Sequence, residues 1–485
     1  MPADAPTRPP PSPPTPTPLP PEPPRQPPQA PAAAPGTVFP PRRLHRLLLA
    51  VYGALWVLAL PLAWLYLRRR GRREPLYHRH FQERLGSVRT ALERPVVFHA
   101  ASLGELRGAA PLVRALLAQG WPVLVSTLTP AGRQAAGSLF AEALAQGRLE
   151  VVYTPLEAGF AVRRLLARVR PRCVLVTEID TWPTFVSTVR RAGVPLAMVN
   201  AQYPRHSAER DLLRLWGFRA AMFQAYELVL CKSETHAQRF RAAGCARVEI
   251  AGETRFDLPI SQAQLDAAPR LLAQIHRHGR RPVVCIASSM AGEDEHFIAA
   301  HLRLQQRLRA LGGPPPLFVH VPRSPQRFDL VHDMLCQAGL RTLRRSRCLD
   351  AQLAWTGPQA IDEADVLLGD SLGEMYFFLA LADAVAVGSS FVPLGAHNII
   401  EPLNLGKPVV VGPSIWGIEY PAVEALAIGM LHQVPDAEAL ADKFFELLTV
   451  PEVRATVERG ARQFLAEHAG ATARHMAVLR SWVPG

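Results

Sequence analysis

The chain has 485 residues, of which 48% are hydrophobic, and a formal net charge of +13. This length exceeds what one hydrophobic core usually supports, so it favours two folded domains, and the hydrophobic fraction excludes a largely disordered chain. The positive charge favours anionic partners, but no zinc-finger spacing or aromatic RNA-binding signature accompanies it, so no nucleic-acid partner is predicted.

The first predicted element is a proline-rich tail over residues 1–41, which holds 19 prolines and almost no large apolar side chains. Such a segment cannot bury a core and favours the extended polyproline conformation. A disordered spacer is therefore predicted, in preference to a ligand for a proline-binding domain.

The second element, 42–75, is predicted to be a membrane anchor with basic flanks. Its uncharged run, 47–67, has 21 residues, which at about 1.5 Å each cover a hydrocarbon core. The length and the lack of a small-residue cleavage site favour an anchor over a signal peptide. More arginines follow the run than precede it, which predicts a single-pass anchor with cytoplasmic domains. Arginines at both ends also leave open a helix that lies in the membrane interface.

From about residue 95 onward, short apolar strands alternate with amphipathic helices. This alternation is typical of parallel sheets covered by helices on both faces. A polar, Gln-rich stretch, 259–280, interrupts it as a connector. The predicted class is α/β, with Rossmann-like domains at 76–258 and 281–485 that face a cleft. The predicted strands are 95–99, 123–127, 151–154, 174–178, 195–200, 228–231 and 248–251, then 282–287, 317–321, 366–368, 384–387 and 408–411.

The segment 388–413 is the richest in candidate binding residues. A strand ends there in a glycine-bearing loop, and Asn398 is placed to cap the helix that follows. A helix start offers free N–H groups to a phosphate. Glu401, in the first turn, can accept hydrogen bonds from ribose hydroxyls, or it only complements the helix dipole. The residues alone leave these two interpretations of Glu401 equally favoured.

Charged side chains also follow other predicted strands. Glu105 follows the first one, but Ser102-x-x-Glu105 also fits a capping box, which the residues alone favour over a catalytic carboxylate. Glu178 ends another strand, and Asp180 just after it is interpreted as a solvated residue at a helix start. Arg323 follows a strand of the second domain, where it can fork onto a phosphate. No G-x-G-x-x-G or Walker motif is present, which disfavours a dehydrogenase or a P-loop nucleotidase.

Taken in order, these motifs resemble those of GT-B glycosyltransferases. More narrowly, they resemble the 3-deoxy-D-manno-octulosonic acid (Kdo) transferases of lipopolysaccharide synthesis. The resemblance runs from residue 47 to the C-terminus and includes H-A-A-S-L-G-E at 99–105 and G-A-H-N-I-I-E-P at 395–402. The other matching segments are 126–132, 178–183, 199–201, 252–257, 287–295, 321–328, 369–374 and 406–413.

The resemblance implies catalytic roles for three residues. Glu105 is expected to be the general base that deprotonates a hydroxyl of a lipid acceptor. Glu178 and Arg255 are expected to stabilise the transition state. Arg255 stands where the family usually has Lys, and Asp180 where it usually has Glu; Arg and Lys can both neutralise a phosphate.

The resemblance also implies a donor site for CMP-Kdo and a transfer that needs no metal and no cofactor. The loop at 372–374 and the segment 398–401 are expected to hold the cytidine and the ribose. Ser324 stands where the family more often has His. The expected donor-binding residues are Pro322, Arg323, Leu372, Gly373, Glu374, Asn398, Ile399, Ile400 and Glu401.

The implied reaction is inverting transfer of Kdo to a lipid A precursor, lipid IVA, at the cytoplasmic face of the inner membrane. A GT-B enzyme that uses a UDP-sugar is one alternative. A non-catalytic, membrane-anchored binder of nucleotide or lipid is another, and the joint presence of Glu105, Glu178, Arg323 and Glu401 argues against it. A sugar-nucleotide epimerase of the same fold would have no reason to carry an anchor.

Overall fold

The computed structural model describes residues 39–483, apart from the side chain of Leu212, so the predicted tail lies outside the described residues except for its last three positions. The strands are β1 (Val96–His99), β2 (Val123–Thr127), β3 (Leu149–Tyr153), β4 (Cys173–Thr177), β5 (Leu196–Ala201), β6 (Leu228–Cys231), β7 (Val248–Ile250), β8 (Val283–Ser289), β9 (Leu317–Pro322), β10 (Thr342–Arg344), β11 (Val366–Leu368), β12 (Ala384–Val387), β13 (Val409–Val411) and β14 (Leu431–Gln433).

The α-helices are α1 (Arg43–Arg70), α2 (Phe81–Arg84), α3 (Leu103–Ala118), α4 (Pro130–Leu139), α5 (Ala141–Ala145), α6 (Gly159–Val169), α7 (Pro183–Arg191), α8 (Arg205–Leu213), α9 (Phe218–Met222), α10 (Glu234–Ala242), α11 (Gln262–Ile275), α12 (Asp294–Ala310), α13 (Phe328–Gln337), α14 (Arg345–Cys348), α15 (Met375–Leu381), α16 (Ile400–Asn404), α17 (Glu419–Ala427), α18 (Ala437–Thr449), α19 (Pro451–His468) and α20 (Ala471–Trp482). Short 3-10 turns join several of them, among them Thr254–Asp257.

The strands form two seven-stranded sheets in which all neighbouring strands are parallel. The first sheet has the order β3-β2-β1-β4-β5-β6-β7, and the second has the order β10-β11-β9-β8-β12-β13-β14. The central strands bury every residue, because helices cover both faces of each sheet. The predicted α/β class is therefore confirmed.

In each sheet the strand order reverses beside the first strand, between β1 and β4 and again between β8 and β12. Such a switch point opens a crevice outside the carboxyl ends of the strands, where ligands of doubly wound folds bind. Glu105 and Glu178 follow β1 and β4, and Glu293 and the loop 388–391 follow β8 and β12. The topology alone thus directs these residues to the two crevices.

The last helix, α20, follows the second sheet in sequence but packs on the first domain. Met476 of α20 is buried in the core cluster that surrounds β1 and α3. The carboxylate of Asp257 fixes this crossing, because it accepts the N–H groups of Gly470, at 2.8 Å, and Thr472, at 2.5 Å. The final helix of the predicted second domain, 281–485, therefore packs into the core of the first domain. The predicted domain boundaries stay predictions.

The helix α1 contains the predicted apolar run. It has 28 residues and a mean hydropathy of 2.1 over its most apolar window. Among residues 39–483 it is the one helix that is long and apolar enough to cross a membrane. Pro61 lies inside it without ending it.

Candidate active site

Glu105 lies in the first turn of α3, where three donors reach its carboxylate. Ala101 N–H donates to Oε2 at 2.7 Å, the Ser102 hydroxyl donates to Oε1 at 3.0 Å, and the Thr177 hydroxyl lies 3.4 Å from Oε2. The Ser102 hydroxyl also accepts the N–H of Glu105 at 3.3 Å. Ser102 caps the helix as predicted, but the Glu105 carboxylate accepts the N–H of Ala101, one residue before the cap, and also lies near the end of β4. Capping and a position in the crevice are therefore compatible.

The surroundings of Glu105 make it a stronger base than an ordinary glutamate. Burial, and then the negative charges of Glu178 and Asp180, raise its pKa. The hydrogen bonds from Ala101 and Ser102 oppose this shift because they favour the ionised form. A general base works best when its pKa approaches the working pH, so the direction of the shift suits proton abstraction.

Glu178 is held on both carboxylate oxygens. Arg255 Nη2 donates to Oε1 at 2.7 Å, and Gln202 Nε2 donates to Oε2 at 2.8 Å. Lys232 Nζ lies 3.5 Å from Oε1. Arg255 crosses α3 at Gly108, where a Cβ would lie only 2.5 Å from the arginine Nε. A side chain at 108 would therefore force Arg255 off its present path to Glu178.

A buried ion pair behind Glu178 was not predicted from the sequence. Lys232 Nζ lies 2.6 Å from Glu253 Oε2, and both side chains are 2% exposed. Burial alone would raise the pKa of Glu253, but the charges of Lys232 and Arg255 outweigh it and lower this pKa. One signal was available, since Lys232 is one of three lysines in the chain and directly follows a predicted strand.

Asp180 pairs with His99, a fully buried side chain at the end of β1. His99 Nε2 lies 2.8 Å from Asp180 Oδ2, and His99 Nδ1 lies 3.1 Å from Thr154 Oγ1. Burial raises the pKa of Asp180, but the hydrogen bond and charge of His99 outweigh it, so this pKa is lowered. Asp180 is therefore an anchored carboxylate and not the solvated helix-start residue that the sequence suggested.

On the second domain, a buried carboxylate holds the loop that follows β12. Glu293 is fully buried and accepts N–H groups from Ser389 at 2.6 Å, and from Ser390 and Phe391 at 2.9 Å. It also accepts the N–H of Met290 at 2.9 Å. Glu293 lies inside the matching segment 287–295, but nothing in its sequence context distinguished it from its acidic neighbours.

Arg323 and Glu401 are close enough for their charges to interact. Burial raises the pKa of Glu401, while the positive charge of Arg323 and a hydrogen bond from Asn398 oppose that shift. Arg323 follows the buried Pro322 at the end of β9 and is exposed. Within the described part of the chain, its guanidinium makes no hydrogen bond and no salt bridge. It is therefore available to an anionic ligand.

The helix start near Asn398 differs in detail from the prediction. Asn398 Oδ1 accepts the N–H of Ile400 at 3.1 Å, as expected of a residue near a helix start. The residue before the first helical position is Ile399, and α16 has only five residues. Ile399 and Ile400 are buried in the core, so only their backbone groups can face a ligand.

The loop 372–374 has two of its polar groups already paired within the protein. Arg345 Nε and Nη2 each lie 2.6 Å from an oxygen of Glu374, which makes a bidentate ion pair. Leu372 is 68% exposed. The carbonyl oxygen of Gly373 accepts a hydrogen bond from Gln264 at 2.8 Å. Of the predicted binding groups in this loop, Glu374 is thus already paired within the protein.

Two contacts join the domains beside these residues. Asn404, at the end of α16, donates to the carbonyl oxygen of Phe256 at 3.3 Å, and Phe256 directly follows Arg255. Farther out, Arg239 of α10 binds both oxygens of Glu419, at 2.6 and 3.0 Å. The structure thus brings together one set of predicted site residues on each domain. These groups are Glu105, Glu178 and Arg255 on the first, and Arg323, Asn398 and Glu401 on the second.

Two solved structures are similar to this chain. A UDP-GlcNAc 2-epimerase from Neisseria meningitidis bound to UDP-GlcNAc matches with a TM-score of 0.51 at 14% identity, covering 80% of this chain and all of that one. The C-terminal CMP-Kdo binding domain of WaaA from Acinetobacter baumannii is 31% identical, over 42% of this chain and 98% of that domain, with a TM-score of 0.37. The first of these matches confirms the predicted two-domain GT-B fold.

Sequence comparison identifies the family. Residues 79–258 match the family model described as 3-Deoxy-D-manno-octulosonic-acid transferase (kdotransferase). Over 428 residues the chain is 37% identical to the 3-deoxy-D-manno-octulosonic acid transferase of Bordetella pertussis, covering 87% of this chain and 96% of the relative. This identity over nearly the full length of both proteins shows that the chain belongs to the 3-deoxy-D-manno-octulosonic acid (Kdo) transferase family of glycosyltransferases.

Proposed function

We propose that this chain transfers Kdo from CMP-Kdo to a lipid A precursor, lipid IVA, at the cytoplasmic face of the inner membrane, in lipopolysaccharide core biosynthesis. One observation carries the proposal: the hydrogen bond from Asn404 to the Phe256 carbonyl. It sets the helix that carries Glu401 against the turn that carries Arg255. Predicted donor-side and acceptor-side groups therefore border a single cleft.

The charges on the second domain suit a cytidine monophosphate sugar. Arg323 is exposed and can donate charge-assisted hydrogen bonds to the phosphate. Glu401 can accept hydrogen bonds from ribose hydroxyls, which its ionised form does best. Glu293 fixes the loop 388–391 by accepting its backbone N–H groups. This rigid loop borders the two side chains. Arg255, on the first domain, adds a second positive charge for the leaving phosphate.

The first domain supplies the groups for the chemical step. Glu105 accepts the proton of an acceptor hydroxyl while the hydroxyl oxygen attacks the anomeric carbon of Kdo. The new bond forms opposite the bond to phosphate, whose electron pair leaves with CMP, so the anomeric configuration inverts. Glu178 faces the positive charge that develops on the sugar, and Arg255 faces the negative charge that develops on the phosphate.

The helix α1 and its basic flanks suit an acylated, phosphorylated acceptor. An apolar helix brings the enzyme to the bilayer in which such an acceptor resides. Arginine side chains near the membrane attract anionic head groups and phosphorylated sugars. The excess of arginines after the apolar run favours a cytoplasmic position for both domains.

The test is to incubate the purified full chain with CMP-Kdo and lipid IVA and to measure the product masses. We expect lipid IVA to gain the mass of one or more Kdo units, with release of CMP. Calorimetric titrations with CMP and UDP check the donor independently, and we expect CMP to bind more tightly. Tighter binding of UDP, together with no Kdo product, would overturn the proposal in favour of a UDP-sugar enzyme.

A further inference from the structure

Five neighbouring strands of the first sheet are each followed by a polar side chain, and these side chains form one row. The strands β1, β4, β5, β6 and β7 lie side by side and are parallel, so their carboxyl ends meet at one edge. Glu105 follows β1, and Glu178 follows β4. Gln202, Lys232 and Glu253 follow β5, β6 and β7 in turn. The sheet order therefore places three further polar residues beside the two carboxylates proposed for catalysis, and we call these five residues the polar row.

The ammonium of Lys232 has three N–H groups and three partners in the polar row. Its Nζ lies 2.6 Å from Glu253 Oε2, 3.1 Å from Gln202 Oε1 and 3.5 Å from Glu178 Oε1. The side chain is 2% exposed, so bulk water does not compete for these contacts. Within residues 39–483, every polar contact of this ammonium thus lies in the polar row.

Lys232 also decides which way the amide of Gln202 points. The amide oxygen accepts a hydrogen bond from Lys232, so the amide nitrogen faces Glu178 and donates to its Oε2 at 2.8 Å. In the reversed orientation the NH₂ group would face the ammonium and the oxygen would face the carboxylate, and both contacts would be repulsive. A positive charge at 232 therefore keeps a hydrogen-bond donor aimed at Glu178.

The backbone of Glu178 shows that its position is imposed by its surroundings. Its φ is +59°, in the left-handed region that residues with a Cβ rarely adopt. Such a conformation persists where the surrounding contacts fix it. The N–H of Glu178 donates to the carbonyl oxygen of Val199 at 3.0 Å. Its carboxylate is held by Gln202, Lys232 and Arg255. The place of this carboxylate in the cleft therefore depends on side chains from later strands.

Glu253 links Lys232 to Arg255, the other residue proposed to stabilise the transition state. Its Oε1 accepts the N–H of Arg255 at 3.2 Å, which caps the turn Thr254–Asp257. Its Oε2, besides binding Lys232, lies 4.0 Å from Arg255 Nη1. Positive and negative charges therefore alternate along the whole path from Lys232 to Glu178.

Stability alone does not account for a buried ion pair at this place. Removing two charges from water costs free energy, and apolar side chains of similar volume often stabilise a core as well as such a pair does. A buried polar network is useful where its members must keep one arrangement. Here the members of the network include the carboxylate that faces the reacting sugar in the proposed mechanism.

We infer that Lys232 is a positioning residue for the transfer. It fixes the carboxylate of Glu178 at the cleft, both directly and through the amide of Gln202, and Glu253 is its counter-ion. Its removal lowers kcat and not CMP affinity, because the proposed donor-binding groups lie on the second domain. The inference rests on the proposed function and adds to it a residue that acts only through its neighbours.

The double variant Lys232→Met/Glu253→Gln tests this role. It removes both charges of the pair together, so neither is left buried without its partner. Met keeps the length of the lysine side chain, and Gln keeps an oxygen that can accept the N–H of Arg255. We expect kcat for Kdo transfer to fall about 10- to 100-fold, the effect of a small misplacement of a catalytic group. The dissociation constant of CMP and the urea midpoint of unfolding should stay close to those of the unmodified enzyme.

The matched control is Lys407→Met, which removes another lysine that is partly buried. Lys407 precedes β13, at the end of the second sheet away from the cleft, and its Nζ donates to the carbonyl oxygen of Ala382 at 2.6 Å. This variant should lose stability, while the kcat of the folded enzyme stays at the unmodified level. An equal loss of kcat in both variants would assign Lys232 a structural role and contradict the inference.

A double-mutant cycle shows whether Lys232 acts through Glu178. The same two substitutions are introduced into Glu178→Gln. We expect them to have little further effect on kcat in that background, because the carboxylate that they position is already absent. Losses of kcat that multiply would show that the pair acts elsewhere. Unmodified kcat in the folded double variant would equally overturn the inference.

Gln202→Met decides the question even if the double variant does not fold, since it leaves the buried pair in place. It removes the donor to Glu178 Oε2, so kcat should fall while CMP affinity is kept. Unchanged turnover would contradict positioning through the Gln202 amide.

Two measurements separate this inference from the proposed function. Absence of a Kdo product from the unmodified enzyme would refute the function alone. Crystal structures of the unmodified enzyme and of the variants, without substrate, test the positioning independently of turnover. We expect the Glu178 carboxylate to leave Gln202 and Arg255 in the double variant. A carboxylate that keeps its place there would overturn the inference.

Discussion

The two sides of the cleft present their functional groups in different states. On the first domain, the carboxylates of Glu105, Glu178 and Asp180 each accept hydrogen bonds or ion pairs from the protein. On the second domain, the Arg323 guanidinium makes no hydrogen bond or salt bridge within residues 39–483, and the ionised form of Glu401 is favoured by the charge of Arg323 and then by a hydrogen bond from Asn398. The side chains proposed for catalysis are therefore already held in position before substrate binds. The side chains proposed for donor binding gain their main polar partners only when the donor binds.

Preorganisation on the second domain lies in the backbone. Glu293 ties four N–H groups of two loops to one buried carboxylate. Gly388 passes so close to β8 that a Cβ there would lie 2.3 Å from the carbonyl oxygen of Ser288. A loop fixed in this way can hold a nucleotide with little reorganisation, and only the side chains must settle around the phosphate.

Replacing the predicted base, Glu105, is the most direct test of the proposed difference between the two sides of the cleft. The variant Glu105→Gln keeps the size of the side chain but cannot take up a proton. We expect kcat to fall about 100- to 10,000-fold, the usual contribution of general-base catalysis, while the affinity for CMP stays unchanged. Transfer assays with CMP-Kdo and calorimetry with CMP measure the two effects separately.

The matched control for this variant is Glu142→Gln, which changes an exposed glutamate of α5 in the same domain. It should leave both quantities at the level of the unmodified enzyme. Near-normal turnover by folded Glu105→Gln would show that the carboxylate serves only as a helix cap.

The central strands were predictable from sequence because they are short continuous apolar runs between helices. Two edge strands were missed, β10 (Thr342–Arg344) and β14 (Leu431–Gln433). Each has three residues, includes polar side chains and is only partly buried, so neither shows an apolar run. Strands of this kind are defined by the neighbour they pair with, which a local pattern does not contain.

The positions of the candidate site residues were predictable because each lies at the carboxyl end of a strand or at a helix start. Their partners were not. Glu178 is held by Gln202, Lys232 and Arg255, which come from three later segments of the chain and meet only through the sheet order. Such pairings depend on tertiary distance, and no spacing in the sequence encodes it.

Glu293→Gln tests the backbone clamp on the donor side, by which we mean the four backbone N–H groups bound to the Glu293 carboxylate. The amide replaces one acceptor oxygen by an NH₂ group that faces N–H donors, so at least one buried donor loses its partner. A hydrogen bond to a charged group contributes about 1.5–3 kcal/mol, so we expect CMP affinity to fall roughly 10- to 100-fold. The free energy of unfolding should fall by about 2 kcal/mol. Calorimetry and urea unfolding measure these changes.

Glu295→Gln is the control for the clamp, since Glu295 is exposed and lies two residues farther along the chain. Its affinity and stability should match those of the unmodified enzyme. Unchanged CMP binding by folded Glu293→Gln would mean that CMP binding does not depend on a loop preorganised by Glu293. The donor side of the cleft would then be less preorganised than we infer.

Arg323→Ala tests whether the Arg323 guanidinium binds the donor phosphate. Loss of one charge-assisted contact should weaken CMP binding about tenfold, and Arg323→Lys should recover part of it. The variant also removes the positive charge that opposes the burial-raised pKa of Glu401. That pKa then rises, so as the pH falls CMP affinity should be lost at a higher pH than in the unmodified enzyme. Titrations with CMP over a pH series measure both effects, and identical profiles would contradict the proposed interaction.

The smallest expected effect concerns the fixed carboxylates. After burial and Glu178, the charge of Asp180 raises the pKa of Glu105. Asp180→Asn removes that charge but keeps an oxygen that can accept the hydrogen bond from His99 Nε2. The pKa of Glu105 should therefore fall, and the base stays ionised to lower pH. We expect the acidic limb of the kcat/KM profile to move to lower pH by roughly half a unit. A limb that stays in place, or moves to higher pH, would show that Glu105 is not the group that titrates there, and the assignment of the base would pass to another carboxylate of the cleft.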